Sequence, residues 1–235
     1  MLTPKRIYVE EMLDAGEGTD DDVASSLTDL RRINRFLGGR KVILDALSSL
    51  IDRSDSKKIS LLDVGTGSAD LPMAVADHCK KIGVEGFIAA VDLSERNLRI
   101  SRSRLVVSSE IHLVQADSLH LPFDSDSFDF VTASLFLHHF RDEDVVALLA
   151  DFGRIARRAV IVNDLVRNLV PYYFIRFAGP LFTDSFLTQN DGPVSVLRGF
   201  TKGEMKELAT RAGLKIREIK RVFPYRLSMT AAPTG

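Results

Sequence analysis

Cysteine is nearly absent from this 235-residue chain: Cys79 stands alone, so no disulfide framework can form. That usage suits a reducing compartment, and a cytoplasmic place of work is expected. The N-terminus "MLTPKRIYVEEMLDAGEG" has no apolar h-region, so no secretory signal is expected there. No run of about 18 apolar residues occurs, which excludes a membrane-spanning helix. Charge of one sign is lacking too. The 31 Lys and Arg nearly cancel the 32 Asp and Glu, for a net charge of -1. A strongly basic nucleic-acid-binding surface is therefore not expected. Internal repeats and low-complexity tracts are also missing.

What is there is apolar residue, 45% of the chain, enough for a buried core. The length fits one domain or a core with a lid. Residues up to about 21 are acidic near their end and read as mobile. From Val23 a helical stripe runs through Leu27, Leu30, Ile33 and Leu37. Gly38-Gly39 breaks it, and Val42, Ile43, Ala46, Leu47 and Leu50 mark a second helix.

Strands and helices then alternate. "KISLLDVG", "GFIAAVDLS", "IHLVQAD", "FDFVTASLF" and "RAVIVND" are short apolar runs of the kind buried on both faces. A helix starts near Asp70 with Pro72 in its first turn, and Ser94 caps another. The alternation predicts a parallel sheet with helices on both faces, an α/β doubly wound fold. It stops at residues 165–198, a long aromatic stretch. Thr201-x-x-Glu204 is a capping box, and its helix ends at Gly213. "KIREIKRVF" and "YRLSMTAA", joined at Pro224, read as a closing hairpin.

"LLDVGTGSADLP" carries the chemistry. Strand, glycine turn and helix present backbone N–H groups to a ligand. A dinucleotide would set its pyrophosphate on that helix N-terminus. Here Asp63 precedes the turn, and Asp70 stands where the third glycine of G-x-G-x-x-G would be. Both carboxylates disfavour a pyrophosphate and favour a cationic ligand, the sulfonium and α-amino group of S-adenosyl-L-methionine. Asp92 ends the second strand, placed to accept from ribose hydroxyls. Asp117 ends the third, placed near an adenine amino group. Each alone could be a helix cap; the set of three after consecutive strands is the signal.

On "LLDVGTGSAD", "AAVDLS", "LVQADSLHLPFDSDSFDFVTASLFLHHF" and the terminal hairpin, the chain resembles class I S-adenosylmethionine-dependent methyltransferases. The likeness spans about residues 59–164 and 199–235. Within that family the chain is similar to the small-molecule group that includes quinone and polyketide methyltransferases. "LRRINRFLGGR", "VIVNDLVR" and "DGPVSVLRGF" together resemble a bacterial subgroup associated with type III polyketide synthases, which implies phenolic substrates. Ala69 departs from the family's third glycine but keeps the small size. The resemblance implies a Rossmann-like, mostly parallel seven-stranded sheet with a terminal antiparallel hairpin and helical lid elements. It implies an N-terminal helical arm over 1–58, a cofactor core over 59–164, an aromatic lid over 165–198, and completion of the core over 199–235. Expected cofactor contacts are Asp63, Gly65, Thr66, Gly67, Ser68, Asp92, Leu93, Asp117, Ser118 and Ser134, with S-adenosyl-L-homocysteine as product.

Methyl transfer is an in-line displacement, so alignment and exclusion of water carry most of it. A phenolic acceptor also benefits from a base. His138 and His139, just past the fourth strand, are the candidates, though "LHHF" could equally cap a helix or pack under the lid. Asn163, Asp164 and Arg167 follow the fifth strand and could orient a substrate, or simply pair with one another. Tyr172 and Tyr173 are expected, with the phenylalanines around them, to line an apolar pocket. Arg31, Arg32, Arg35 and Arg40 are a solvated face or an anion site. No Cys, His and carboxylate spacing suggests a metal site. The expected partner is a small aromatic molecule and the expected reaction O-methylation. An RNA or protein methyltransferase, or a silent cofactor-binding subunit, are the alternatives on the same fold. The Asn/Asp-Pro-Pro-aromatic signature of amino-group base methylation is absent after the fourth strand.

Overall fold

The structure, a computed structural model, describes residues 3–51, 57–105 and 110–233. Two short pieces of the expected N-terminal arm, 1–2 and 52–56, lie outside that range. The elements run α1 (Asp20–Phe36), α2 (Gly39–Leu50), β1 (Lys58–Val64), α3 (Asp70–Ile82), β2 (Glu85–Asp92), α4 (Glu95–Arg104) and β3 (Ile111–Gln115). They continue with β4 (Phe128–Ser134), α5 (Asp142–Ile155), β5 (Ala156–Leu165), α6 (Leu169–Ala178), α7 (Phe186–Arg198), α8 (Lys202–Arg211), β6 (Lys215–Val222) and β7 (Arg226–Ala232). Among the described residues no helix is long and apolar enough to cross a membrane.

All seven strands form one sheet in the order β3-β2-β1-β4-β5-β7-β6. The first five pair in parallel; β7 runs antiparallel to both β5 and β6. This is the Rossmann-like sheet with a terminal antiparallel hairpin. Successive side chains on a strand face opposite ways, and the cores divide accordingly. Leu62, Val64, Ala89, Val91, Val131 and Val162 pack under α5 and α8 on one face. Ile59, Leu61, Ile88, Ala90, Phe130 and Ile161 pack against α2 and α3 on the other. Both faces are apolar, which is why these strands read as unbroken hydrophobic runs.

The strand order reverses between β1 and β4, and ligands bind at that point outside the carboxyl ends of the strands. Val64 leads there into Gly65, and Ser134 into Leu135. Leu135 takes a left-handed conformation (φ 55) and turns the Phe136 ring beneath the glycine turn. Ser94 and Thr201 cap their helices as expected; Thr201 and Glu204 complete the reciprocal box.

The mobile reading of the first residues is corrected. Residues 3–18 form a strap tied to the segment that follows β5. Asp191 accepts from the Met12 and Leu13 N–H groups at 2.9 and 3.0 Å. The Arg198 guanidinium donates to the Val9 carbonyl at 2.8 Å, and that of Arg6 to the Arg198 carbonyl at 2.7 Å. The strap lacks apolar periodicity because backbone-to-side-chain bonds, not a buried stripe, hold it.

Candidate active site

A cleft of about 780 Å³ opens at the reversal of strand order. Every cofactor contact expected from the sequence lines it: Asp63, Gly65, Thr66, Gly67, Ser68, Asp92, Leu93, Asp117, Ser118 and Ser134. Gly65 has φ +71, and a Cβ there would meet the Phe136 ring at 2.1 Å. Only glycine fits, for reasons of both conformation and space. Ala69 is the non-glycine member of the turn and holds φ 54.

Asp63 is 2% exposed. Its two oxygens accept from the Thr66 and Thr132 hydroxyls, each at 2.8 Å. Burial pushes its carboxyl up to about 7, against those two bonds and with help from the charges of Asp70 and Asp92. Asp92 accepts from the Gly67 N–H at 2.8 Å and the Ser94 N–H at 2.9 Å, tying β2 to the glycine turn. Burial raises its carboxyl too. Asp70, also raised by burial, keeps Oδ2 buried with no donor among the described residues. None of these three carboxylates has a cation within ion-pair distance there, so the turn suits a ligand that brings positive charge. Asp117 is different. It is half-exposed, and the Leu119 N–H and the His120 ring hold its carboxyl below the usual range.

His138 and His139 occupy a short 3-10 turn after β4 and line the same cleft. The Asp164 carboxylate stands 2.7 Å from His138 Nδ1 and also accepts from the His138 N–H. Burial alone would raise Asp164; the charge of His138 and its hydrogen bond outweigh that and lower it. Glu11, from the strap, puts Oε1 at 3.7 Å from His138 Nε2. His139 Nδ1 meets Asp14 at 2.5 Å. Burial would lower His139, but the bond to Asp14 and the charges of Glu11 and Asp14 raise it. Nitrogens and a carboxylate of Glu11, His138 and His139 come within 4.8 Å of one another, a set able to hold a cation. The sequence shows no such spacing because Glu11 is far away along the chain. Arg198 already supplies positive charge at this point, with Nη1 3.8 Å from Glu11.

The expected substrate residues are corrected. Asn163 and Asp164 are fully buried behind the cleft, Asn163 donating to the Ser134 hydroxyl at 2.8 Å. Arg167 donates to the Pro4 and Gly199 carbonyls and to Glu204, so it fastens strap, lid and α8 rather than meeting a ligand. Tyr172 and Tyr173 do not line the cleft. Among the residues of α6 only Ile175 does; Tyr173, Phe174 and Phe177 point outward, Phe177 with 72% exposed. Tyr8, Glu11, Asp14, Arg198 and Arg226 line it without having been singled out. Two sequence signals touched them, "DGPVSVLRGF" at Arg198 and the terminal hairpin "YRLSMTAA" at Arg226.

Residues 61–159 match the family described as "Methyltransferase domain". The demethylmenaquinone methyltransferase of Staphylococcus carnosus is 28% identical over 171 residues, 68% of this chain and 69% of that protein. Among solved structures, a SAM dependent methyltransferase from Aquifex aeolicus aligns with a TM-score of 0.66 at 15% identity, over 93% of this chain and 100% of its own. Human N-acetylserotonin methyltransferase in complex with SAM aligns at 0.65 and 14% identity, over 98% of this chain and 63% of its own. The two structures speak for the fold, and the family match speaks for the chemistry of the core. Residues 61–159 thus match a methyltransferase domain on a Rossmann-like fold, and the carboxylates of the glycine turn suit the cationic cofactor S-adenosylmethionine.

Proposed function

We propose that the protein methylates a small aromatic acceptor of quinol or phenol type, at a hydroxyl oxygen. The observation that carries this reading is the His138–Asp164 pair on the wall of the cofactor cleft. S-adenosylmethionine, bound at the glycine turn, supplies an electrophilic methyl group on a good leaving group. Asp63, Asp70 and Asp92 hold its charged and hydroxyl groups. His138 takes the acceptor's hydroxyl proton, and Asp164 orients the ring and stabilises the imidazolium that forms. At His139, Asp14 and Glu11 favour the protonated form, which has no lone pair free to take a proton. The strap and α7 close the cleft from water.

A phenolate is ambident and can also react at a ring carbon. The name of the Staphylococcus carnosus relative, a demethylmenaquinone methyltransferase, favours that second reading. Incubation with a panel of naphthols and naphthoquinols and methyl-¹³C S-adenosylmethionine tests both. The methyl carbon resonance of the product should be that of an aryl ether. A ring-methyl resonance would move the acceptor atom to carbon, and no transfer to any member would remove the phenol and quinol class.

A further inference from the structure

Arg226 opens β7, and its side chain is 1% exposed. It lines the cleft, as does its cross-strand partner Leu165. Nη1 has no hydrogen-bond partner, and no carboxylate stands within ion-pair distance among the described residues. The neighbouring Asp164 attracts it electrostatically but makes no hydrogen bond or ion pair with it, its oxygens being turned to other donors. The Asp164 oxygens are already engaged, Oδ1 by His138 Nδ1 and the Leu165 N–H at 2.7 Å each, Oδ2 by the His138 N–H. Burial holds the guanidinium down to about 10, still charged at neutral pH.

A buried cation without a counterion is costly, and an apolar side chain of the same volume would serve the fold better. Besides Asp70 Oδ2 at the glycine turn, the same cleft presents a further unmatched acceptor, the buried Asn34 Oδ1, which has no donor among the described residues. An unmatched donor with full charge and an unmatched acceptor describe the outline of a ligand. It carries an anionic oxygen and a hydrogen-bond donor.

We propose that Arg226 receives an ionised oxygen of the acceptor, so that the cleft selects acidic hydroxyaromatic molecules and holds them as the oxyanion. This rests on the small-molecule methyltransferase reading above. A guanidinium suits such an oxygen through paired N–H donors. The proton leaves the acceptor hydroxyl for solvent or for His138, and the oxyanion remains on Arg226. The other anion that could reach this site is the methionine carboxylate of the cofactor.

The experiment uses the full chain saturated with S-adenosylhomocysteine and two probes. One is 2-hydroxy-1,4-naphthoquinone, anionic at neutral pH; the other is its neutral methyl ether. Calorimetry should show wild type preferring the anion. Arg226→Met should weaken the anion by about 10- to 100-fold, the worth of one charged hydrogen bond, and leave the ether unchanged. Affinity for S-adenosylhomocysteine and the melting temperature should not fall. Equal loss of both probes, or wild type binding neither, overturns the proposal. Loss of S-adenosylhomocysteine affinity in the variant assigns Arg226 to the cofactor carboxylate and also overturns it. A wild type that fails to bind S-adenosylhomocysteine at all removes the methyltransferase reading instead. Should Arg226→Met not fold, the wild type still answers. The visible absorbance of the bound ionised quinone should persist to a pH at least one unit below that of the free molecule. Titration at or above the free value contradicts the proposal.

Discussion

The two ends of the cleft stand on one sheet edge and hold opposite charges, and among the described residues neither end has an ion-pair partner. At the β1–β2 end, Asp63 and Asp70 are buried and Asp92 half-buried carboxylates without a cation in contact among the described residues. At the β5–β7 end, Arg226 is a buried guanidinium with no anion in ion-pair distance among the described residues. Other buried charges are paired: Arg167 with Glu204, Asp164 with His138, Arg6 with Asp142. The contrast teaches where ligands belong, because folding alone favours satisfied groups. A cationic cofactor fits one end and an acidic acceptor the other.

The largest break in that comparison is expected at Gly65. Gly65→Ala would drive a methyl group into the Phe136 ring at a backbone φ of +71. Binding of S-adenosylhomocysteine should be lost and the melting temperature should drop, as calorimetry and thermal unfolding would read. Next in size is His138→Ala. Removing the base should lower kcat by roughly 10²–10⁴-fold and barely alter cofactor affinity. Near-normal kcat would shift proton removal to the solvent.

A third test sharpens the carboxylate end through pH. The folded protein holds Asp63 up to about 7, while the unfolded chain ionises it near its ordinary 3.8. Between those values the unfolded state binds fewer protons. Stability from this group is therefore complete below about pH 4 and lost as pH rises through 7, on the order of 4 kcal/mol in all. Urea unfolding of the cofactor-free protein at pH 5 and pH 8 should show that fall. Asp63→Asn should flatten it.

Much of the fold was legible because the sheet is buried on both faces. Each strand is then an apolar run, and the runs at 59–64 and 87–91 end at the very carboxylates that face the cleft. The ten positions expected to meet the cofactor come together along one cleft for the same reason: strand ends project to one edge by topology. The rest was not readable because it depends on what meets across the chain. Glu11 reaches His138, and Arg226 reaches the cleft, only through the folded path of strap and hairpin. The aromatic density of 165–198 misled in a physical way. Period and composition show that Tyr172, Tyr173 and Phe177 share a helix, but not which side of it turns inward, and α6 turns Ile175 inward.

Calorimetric titration of Asp92→Ala with S-adenosylhomocysteine tests the assignment of the carboxylate end most directly. Loss of two charge-assisted bonds, about 1.5–3 kcal/mol each, predicts an affinity at least 100-fold below wild type. An unchanged affinity, or NAD bound by wild type more tightly than S-adenosylhomocysteine, would contradict it.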